Sequence, residues 1–252
     1  MNNMTKISAV VTCFNNQDTI EKCIASVAFA DEIIVLDSFS TDATLEILKK
    51  FNCIVKQQKF KGFWQQKQDA INLATHDWVI LLDSDEFLTR QAQSTIQKWQ
   101  QKTAQFDAYA LPRREWVFWQ WSHKFVHKNS FVRLFNRQKA QVSQDLVHES
   151  IKTTGSCAKL NAEIKHFGET SIALKIEKIN QYSSLAAQQK YAQGKRVLPI
   201  KLVFYPIWYF FKQYFIRRQI FNGTAGLINA YLNSKYAFLK YAKLYELQKN
   251  KN

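Results

Sequence analysis

Trp78-Val-Ile-Leu-Leu-Asp-Ser-Asp85 is a run of five apolar residues that opens onto two carboxylates one residue apart. A short apolar run bounded by His76-Asp77 on one side and acids on the other reads as a buried strand. The carboxylates then stand where the strand leaves the core. Hard oxygen ligands in so short a cluster suit Mg²⁺ or Mn²⁺, ions that commonly bridge one or two protein carboxylates to a substrate's phosphates. An acidic pair at a strand end is more often a solvated turn, so its surroundings decide between the two readings.

Those surroundings repeat one pattern. Ile7-Ser-Ala-Val-Val-Thr-Cys13 is rich in β-branched residues and runs into Phe14-Asn15-Asn16, a turn composition. Asp18 or Thr19 can cap a helix whose apolar positions Ile20, Cys23, Ile24 and Val27 share one face. Glu32-Ile-Ile-Val-Leu36 is a second strand ending at Asp37. Ser40-Thr41-Asp42 then starts a helix lined by Leu45, Leu48 and Phe51. Cys53 to Gln57 makes a third strand, Trp64 to Ala74 a third helix, and Trp78 to Leu82 the fourth strand. Strands and helices alternating at this spacing predict an α/β fold with a mainly parallel central sheet covered on both faces. Ligands of such sheets bind past the carboxyl ends of the strands, so Asp37 and Asp83-Ser84-Asp85 are expected to converge there. No G-x-G-x-x-G follows the first strand and no G-x-x-x-x-G-K-[ST] occurs in the sequence, which argues against dinucleotide oxidoreductases and P-loop NTPases.

Beyond Arg90 a polar helix (91–105) leads into Tyr109-Ala-Leu-Pro-Arg-Arg-Glu-Trp-Val-Phe-Trp-Gln-Trp121, a less regular half suited to shaping an acceptor pocket. The expected organisation is one catalytic domain, 1–194, with a nucleotide-binding half to about residue 105 and an acceptor half from 106. A helical extension, 195–252, follows. The chain has 252 residues, 46% of them hydrophobic, with six Gly and three Pro, a composition that argues for a folded protein over a disordered one. Cys13, Cys23, Cys53 and Cys157 form no C-x-x-C pair and read as small core residues. Met1 to Met4 do not resemble a cleavable signal, so a reducing cytoplasm is the expected compartment.

Net charge is +15, and its placement matters more than its size. From Lys195 onward there are eleven Lys plus Arg against one acid, Glu246, so 11 − 1 gives +10 in that segment. Leu202 to Phe211 is a ten-residue run without charge between Lys201 and Lys212. It is too short for the roughly 20 apolar residues of a spanning helix, and Pro199 and Pro206 interrupt it. Aromatics mixed with Lys and Arg suit a helix lying in the headgroup region of an anionic leaflet. The plainer alternative is that Trp208, Phe211 and Phe215 pack inside the protein. A basic nucleic-acid-binding protein is the reading from a different class.

Four segments carry a specific resemblance: Val10-Val-Thr-Cys-Phe-Asn15, Asp31-Glu-Ile-Ile-Val-Leu-Asp-Ser-Phe-Ser-Thr-Asp42, Gly62-Phe-Trp-Gln-Gln-Lys-Gln-Asp-Ala70 and Leu81-Leu-Asp-Ser-Asp-Glu86. On these the chain resembles family 2 glycosyltransferases of the GT-A fold. Leu111-Pro-Arg-Arg114, Val132-Arg-Leu-Phe135, Val147-His-Glu149 and Leu239 to Glu246 narrow the resemblance to lipopolysaccharide inner-core β-1,4-glucosyltransferases. It implies that Thr12 and Phe14 meet the uracil of a UDP-sugar, and that Asp37 accepts from the base or ribose. Lys67 would lie near the nucleotide, Ser84 with the donor, and Asp83 with Asp85 would hold the divalent metal, His166 supplying a third contact. Glu149 is the implied base for the acceptor hydroxyl, with Asp145 as competitor, and direct displacement gives a β product from an α-linked donor. The implied partners are a UDP-hexose, glucose or galactose, and a lipid-anchored heptose acceptor. The implied location is peripheral, on the cytoplasmic face of the inner membrane, with no nucleic acid involved. Gln181-Tyr-Ser-Ser-Leu185 lacks the Arg-Trp of the Q-x-x-R-W motif of processive members, so a single transfer is expected. The other enzyme reading, a sugar nucleotidyltransferase, would call for a Gly-rich, Arg-containing loop that Cys13-Phe-Asn-Asn-Gln17 does not supply.

Overall fold

A computed structural model describes residues 4–144 and 150–250. Its first half alternates β1 (Ile7–Cys13), α1 (Ile20–Ser26), β2 (Glu32–Asp37), α2 (Thr44–Leu48), β3 (Ile54–Gln57), α3 (Phe63–Asn72) and β4 (Trp78–Asp83). β5 (Glu86–Leu88), α4 (Arg90–Gln100), β6 (Ala108–Val117), β7 (Gln120–Trp121) and β8 (Asn129–Asn136) follow. The chain continues through β9 (Ala140–Val142), β10 (Ile151–Thr153), β11 (Cys157–Lys159) and β12 (Ile164–Glu169). Three long helices, α5 (Ile172–Ala192), α6 (Ile200–Phe211) and α7 (Gly223–Lys249), complete it.

The main sheet runs β3-β2-β1-β4-β8-β6-β12-β5. Its first four strands are parallel, with Thr12 level with Leu36 on one side and Asp83 on the other. Alternation along β1 sends successive side chains to opposite faces, both of them buried, which is why the strand is mainly apolar throughout. Ala9, Val11 and Cys13 enter one core with Ile20, Cys23 and Ile24 of α1, while Val10 enters a second core with Ala70 and Ile71 of α3. β8 joins β4 antiparallel, so the less regular half continues the same sheet. Pro112 is accommodated in β6, and a register irregularity lies between Tyr109 and Ala110.

The chain divides into two compact units, Met1–Arg114 with Lys128–Phe167, and Glu115–His127 with Gly168–Asn252. The helix Ile172–Ala192, expected within the catalytic domain, thus belongs to the second unit, as does the aromatic segment from Glu115. In that unit Pro199 precedes α6 and Pro206 lies within it, so the helix expected to be interrupted continues to Phe211 and then into a π-helical turn, Lys212–Ile216. Among the described residues no helix is long and apolar enough to cross a membrane. Cys13 and Cys23 are buried as expected, whereas Cys157 is exposed on the short strand β11.

Gly226 of α7 shows how closely this unit packs. A Cβ there would come within 1.9 Å of the Gln219 carbonyl oxygen, a backbone atom that cannot swing aside. Gly226→Ala should lower stability by about 1–3 kcal/mol, read as a lower thermal midpoint, as overpacking generally does. An unchanged midpoint would contradict this packing.

Candidate active site

The carboxyl ends of β1, β2 and β4 carry the candidate residues, and their loops are tied to one another. Asn15 N donates to Ser40 Oγ at 2.9 Å, and Asn15 Oδ1 accepts from Thr41 N at 2.8 Å. Asn16 N donates to Thr44 Oγ1, and Asn16 Oδ1 accepts from Ser84 Oγ at 2.6 Å. The loops after the first and second strands and the acidic loop therefore form one hydrogen-bonded rim. Asn15 and Phe39 take positive φ, 53° and 63°. Phe14 and Phe39 both leave their rings exposed on this rim.

Asp37 is fully buried at the end of β2. Its carboxylate accepts from Ser40 N and Oγ, from Gln57 Nε2 at 2.9 Å and from the Cys13 thiol. Burial works against the charge, but the Ser40 and Gln57 hydrogen bonds outweigh it and hold the carboxyl below its usual range. Asp37 thus anchors the turn that follows it, and also pushes the buried Cys13 thiol far up, behind burial itself.

Asp83 lies among cations. Lys67 Nζ of α3 is 2.6 Å from Oδ1, and an Arg133 guanidinium nitrogen of β8 donates to Oδ2 at 2.9 Å. Burial opposes ionisation, yet Lys67 first and Arg133 next hold the Asp83 carboxyl far below the carboxylate range. Arg133 also donates to Glu86 Oε1 at 2.7 Å, and Arg113 of β6 reaches the same oxygen at 2.9 Å. Glu86 Oε2 accepts from Asp83 N at 3.2 Å. Glu86 is fully buried, so a chain Lys67–Asp83–Arg133–Glu86–Arg113 threads the sheet edge with three cations and two carboxylates. The Arg113 guanidinium lies 4.2 Å from the centre of the Phe131 ring, a cation–π contact that holds it in place.

Asp85 stands apart from this chain. Its Oδ2 is 3.2 Å from His166 Nε2, and its backbone oxygen accepts from Phe167 N at 2.9 Å. β12 brings the histidine there by pairing antiparallel with β5, His166 opposite Glu86. Among the described residues no group of three His, Cys, Asp or Glu is placed to hold a metal. The pair Asp85 and His166 nevertheless offers one hard oxygen and one imidazole donor side by side. That set suits Mg²⁺ or Mn²⁺ when substrate phosphates complete it.

The structure therefore gathers Thr12, Asp37, Lys67, Asp83, Ser84, Asp85 and His166 at one sheet edge, with Asp85 and His166 the juxtaposed donors. Glu149 and Asp145 lie outside the described residues. Ser143 and Ser150, which flank them in sequence, bond to each other, Ser143 N to Ser150 O at 2.8 Å and Ser150 N to Ser143 Oγ at 3.0 Å. Val142 N in turn donates to Gln68 Oε1, next to Lys67 on α3. Glu86, Arg113 and Arg133 were not read as site residues from sequence. The available signal was an arginine inside the apolar strand Val132-Arg-Leu-Phe135, which needs a buried anion as partner.

A parallel sheet whose strand ends carry a cation-held carboxylate beside an Asp–His pair marks a protein of the α/β class with a candidate site at the expected edge, and sequence comparison says what it does. Residues 8–158 match glycosyl transferase family 2. An uncharacterized glycosyltransferase of Rickettsia felis is 32% identical over 263 residues, covering 99% of this chain and 93% of the relative. The lipopolysaccharide core biosynthesis glycosyltransferase LpsC of Rhizobium meliloti is 28% identical over 248 residues, 95% and 92% of the two chains. Among solved structures, TarS of S. aureus aligns over 98% of this chain and 92% of its own, with 14% identity and a TM-score of 0.46. The chain belongs to glycosyl transferase family 2 and is a glycosyltransferase. Its α/β architecture, a parallel half-sheet extended by antiparallel strands, is the GT-A-like one that the resemblance implied.

Proposed function

We propose that this enzyme transfers a hexose, glucose in the first instance, from a UDP-sugar to a heptose of a lipid-anchored lipopolysaccharide core, with inversion to a β linkage. The observation that carries the reading is the Asp85–His166 pair next to the Lys67–Asp83–Arg133 chain at the ends of the parallel strands. Two negative phosphates can approach carboxylates only through positive charge. Asp85 and His166 would hold Mg²⁺ or Mn²⁺, which supplies charge neutralisation for the departing UDP. Lys67 offers further positive charge from α3, and the exposed rings of Phe14 and Phe39 offer stacking faces for the base, beside Thr12. Ser84 keeps the acidic loop in place through Asn16. Glu149, with Asp145 as competitor, is assigned the acceptor proton.

The acceptor's lipid anchor accounts for the exposed apolar surface of the second unit. Val203, Phe204, Ile207, Trp208 and Phe211 recur at helical spacing along α6, a helix with no buried residue, and Phe204 and Ile207 are 64% and 65% exposed. Trp208, Phe211 and Phe215 do not pack inside the protein, being about half exposed. An apolar stripe of this kind in a segment carrying +10 fits an anionic leaflet on which the helix lies flat.

The direct test is a screen of UDP-sugars against a heptose-terminated acceptor with Mg²⁺ or Mn²⁺, followed by linkage analysis. UDP-glucose turnover with a β-linked product is expected, and release of pyrophosphate in place of UDP would sink the reading. The Phe204→Ser/Trp208→Ser variant should bind anionic vesicles at least tenfold more weakly, since each buried side chain contributes about 1.5–3 kcal/mol. Undiminished binding by that variant would remove the membrane role of α6, and salt-sensitive retention on RNA or DNA with no vesicle binding would favour the nucleic-acid reading.

A further inference from the structure

Three lysines of the second unit, one from each long helix, converge on a single tyrosine. Lys190 of α5, Lys201 of α6 and Lys240 of α7 place their ammonium nitrogens 5.9, 4.4 and 5.0 Å from the centre of the Tyr241 ring. Lys201 and Lys240 also lie over the ring of Tyr205, at 5.6 and 5.9 Å. Aromatic faces hold the three cations by cation–π attraction but accept none of their N–H donors in the manner of a carboxylate. Among the described residues none of the three has an ion pair or hydrogen-bond acceptor. Glu246, the one acid in the basic segment, acts instead on Lys243, whose ammonium is already bonded to Asn180, Ser183 and Ser184. Burial, and behind it the charges of Lys190 and Lys201, pull the Lys240 ammonium below its usual range, with only Tyr241 acting the other way.

Like charges gathered on one aromatic cluster repel one another, and a multivalent oxyanion removes that repulsion while taking up the unused donors. Lys201 is three residues from Phe204 on α6, so the cluster adjoins the apolar stripe that is assigned to the bilayer. We propose that Lys190, Lys201 and Lys240 form a site for the phosphate of an anionic lipid headgroup. The site would fix where along the leaflet the second unit docks. This rests on the membrane reading above.

The test compares the full chain with the Lys190→Gln/Lys201→Gln/Lys240→Gln variant and with a charge-matched control, Lys212→Gln/Lys235→Gln/Lys249→Gln. Binding is measured to phosphatidylcholine vesicles with and without phosphatidylglycerol, and thermal unfolding checks that both variants fold. At about 1 kcal/mol per lysine near an anionic surface, diffuse attraction alone predicts equal losses for the two variants, on the order of a hundredfold each at most. A built site predicts that the cluster variant loses at least ten times more than the control, and that replacing phosphatidylglycerol by an equally charged carboxylate lipid weakens wild-type binding. Equal losses in the two variants, or equal binding to the carboxylate lipid, would overturn the site and leave the membrane reading standing. Absence of any vesicle binding by the wild type would overturn both. Saturable binding of inorganic phosphate that depends on the three lysines, without any lipid preference, would reassign the site to a soluble phosphate and overturn the lipid proposal.

Discussion

Asp85→Ala is expected to fold normally and to lose UDP release from a UDP-hexose by at least 10²- to 10³-fold in kcat. That is the scale on which removing one preorganised electrostatic group at a developing charge acts. The argument is geometric. The Asp85 side chain is about a third exposed and, among the described residues, its carboxylate meets only the His166 imidazole, so its removal strips no Lys or Arg of a partner and costs little stability. Its backbone oxygen, which accepts from Phe167 N, is untouched by the substitution. Function suffers far more, because of the two carboxylates of the Asp83-Ser84-Asp85 loop Asp85 is, among the described residues, the one that no Lys or Arg occupies; Asp83 is taken by Lys67 and Arg133. His166→Ala should fall between, with a loss of about 10- to 100-fold and a higher Mn²⁺ requirement, since the carboxylate remains while its nitrogen neighbour is gone. The measurement is UDP release across a Mg²⁺ or Mn²⁺ titration, paired with thermal unfolding. Turnover retained in Asp85→Ala would remove the central claim of the proposed function.

What could be read from the sequence follows from how each half of the sheet is buried. β1, β2 and β4 are covered on both faces and so appear as mainly apolar, β-branched-rich runs that end within a residue of their observed limits. β6 and β8 were not legible as partners, because Pro112, Arg113, Arg114 and Glu115 in one and Arg133 in the other break any period-two signal. Two of those charged residues, Arg113 and Arg133, belong to the part of the site that was missed. Asp83 and Asp85 announce themselves as acids directly after an apolar run. Glu86 finds Arg113 and Arg133 only through the antiparallel half of the sheet, 27 and 47 residues away, a pairing no local window contains. Asp37 was placed correctly at the sheet edge. That its carboxylate turns inward to Ser40, Gln57 and Cys13 depends on loop geometry that spacing alone does not encode. In the C-terminal segment Pro206 read as an interruption, but a proline's missing N–H costs less on an exposed helix whose freed carbonyls can reach water.

Arg133→Ala should be the most destabilising single change at the site, by about 3–5 kcal/mol, as expected when one member of a buried ion pair is removed and its partners stay charged. Arg133 is buried and bridges two carboxylates, Asp83 at 2.9 Å and Glu86 at 2.7 Å, and each would be left with one cation, Lys67 or Arg113. Glu86 suffers most because it is fully buried. Arg133→Lys should recover only part of the loss: one nitrogen of Arg133, Nη2, donates to both carboxylates, and the shorter lysine side chain must bring its single ammonium to that same point. The pH dependence has a definite sign. Asp83 is held well below the unfolded carboxylate value of about 3.9, so its stabilising contribution is complete above that value and is lost as pH falls toward the depressed folded one. Removing Arg133 takes away the second of the three cations responsible, behind Lys67 and ahead of Arg113, and starts the variant from a lower stability, so its acid unfolding should begin at higher pH than the wild type's. Urea unfolding at neutral pH and across the range from about pH 6 to pH 3 measures both effects. A neutral-pH loss below about 1 kcal/mol, the scale of an exposed ion pair, would mean that the chain from Lys67 to Arg113 does not hold this edge of the sheet together.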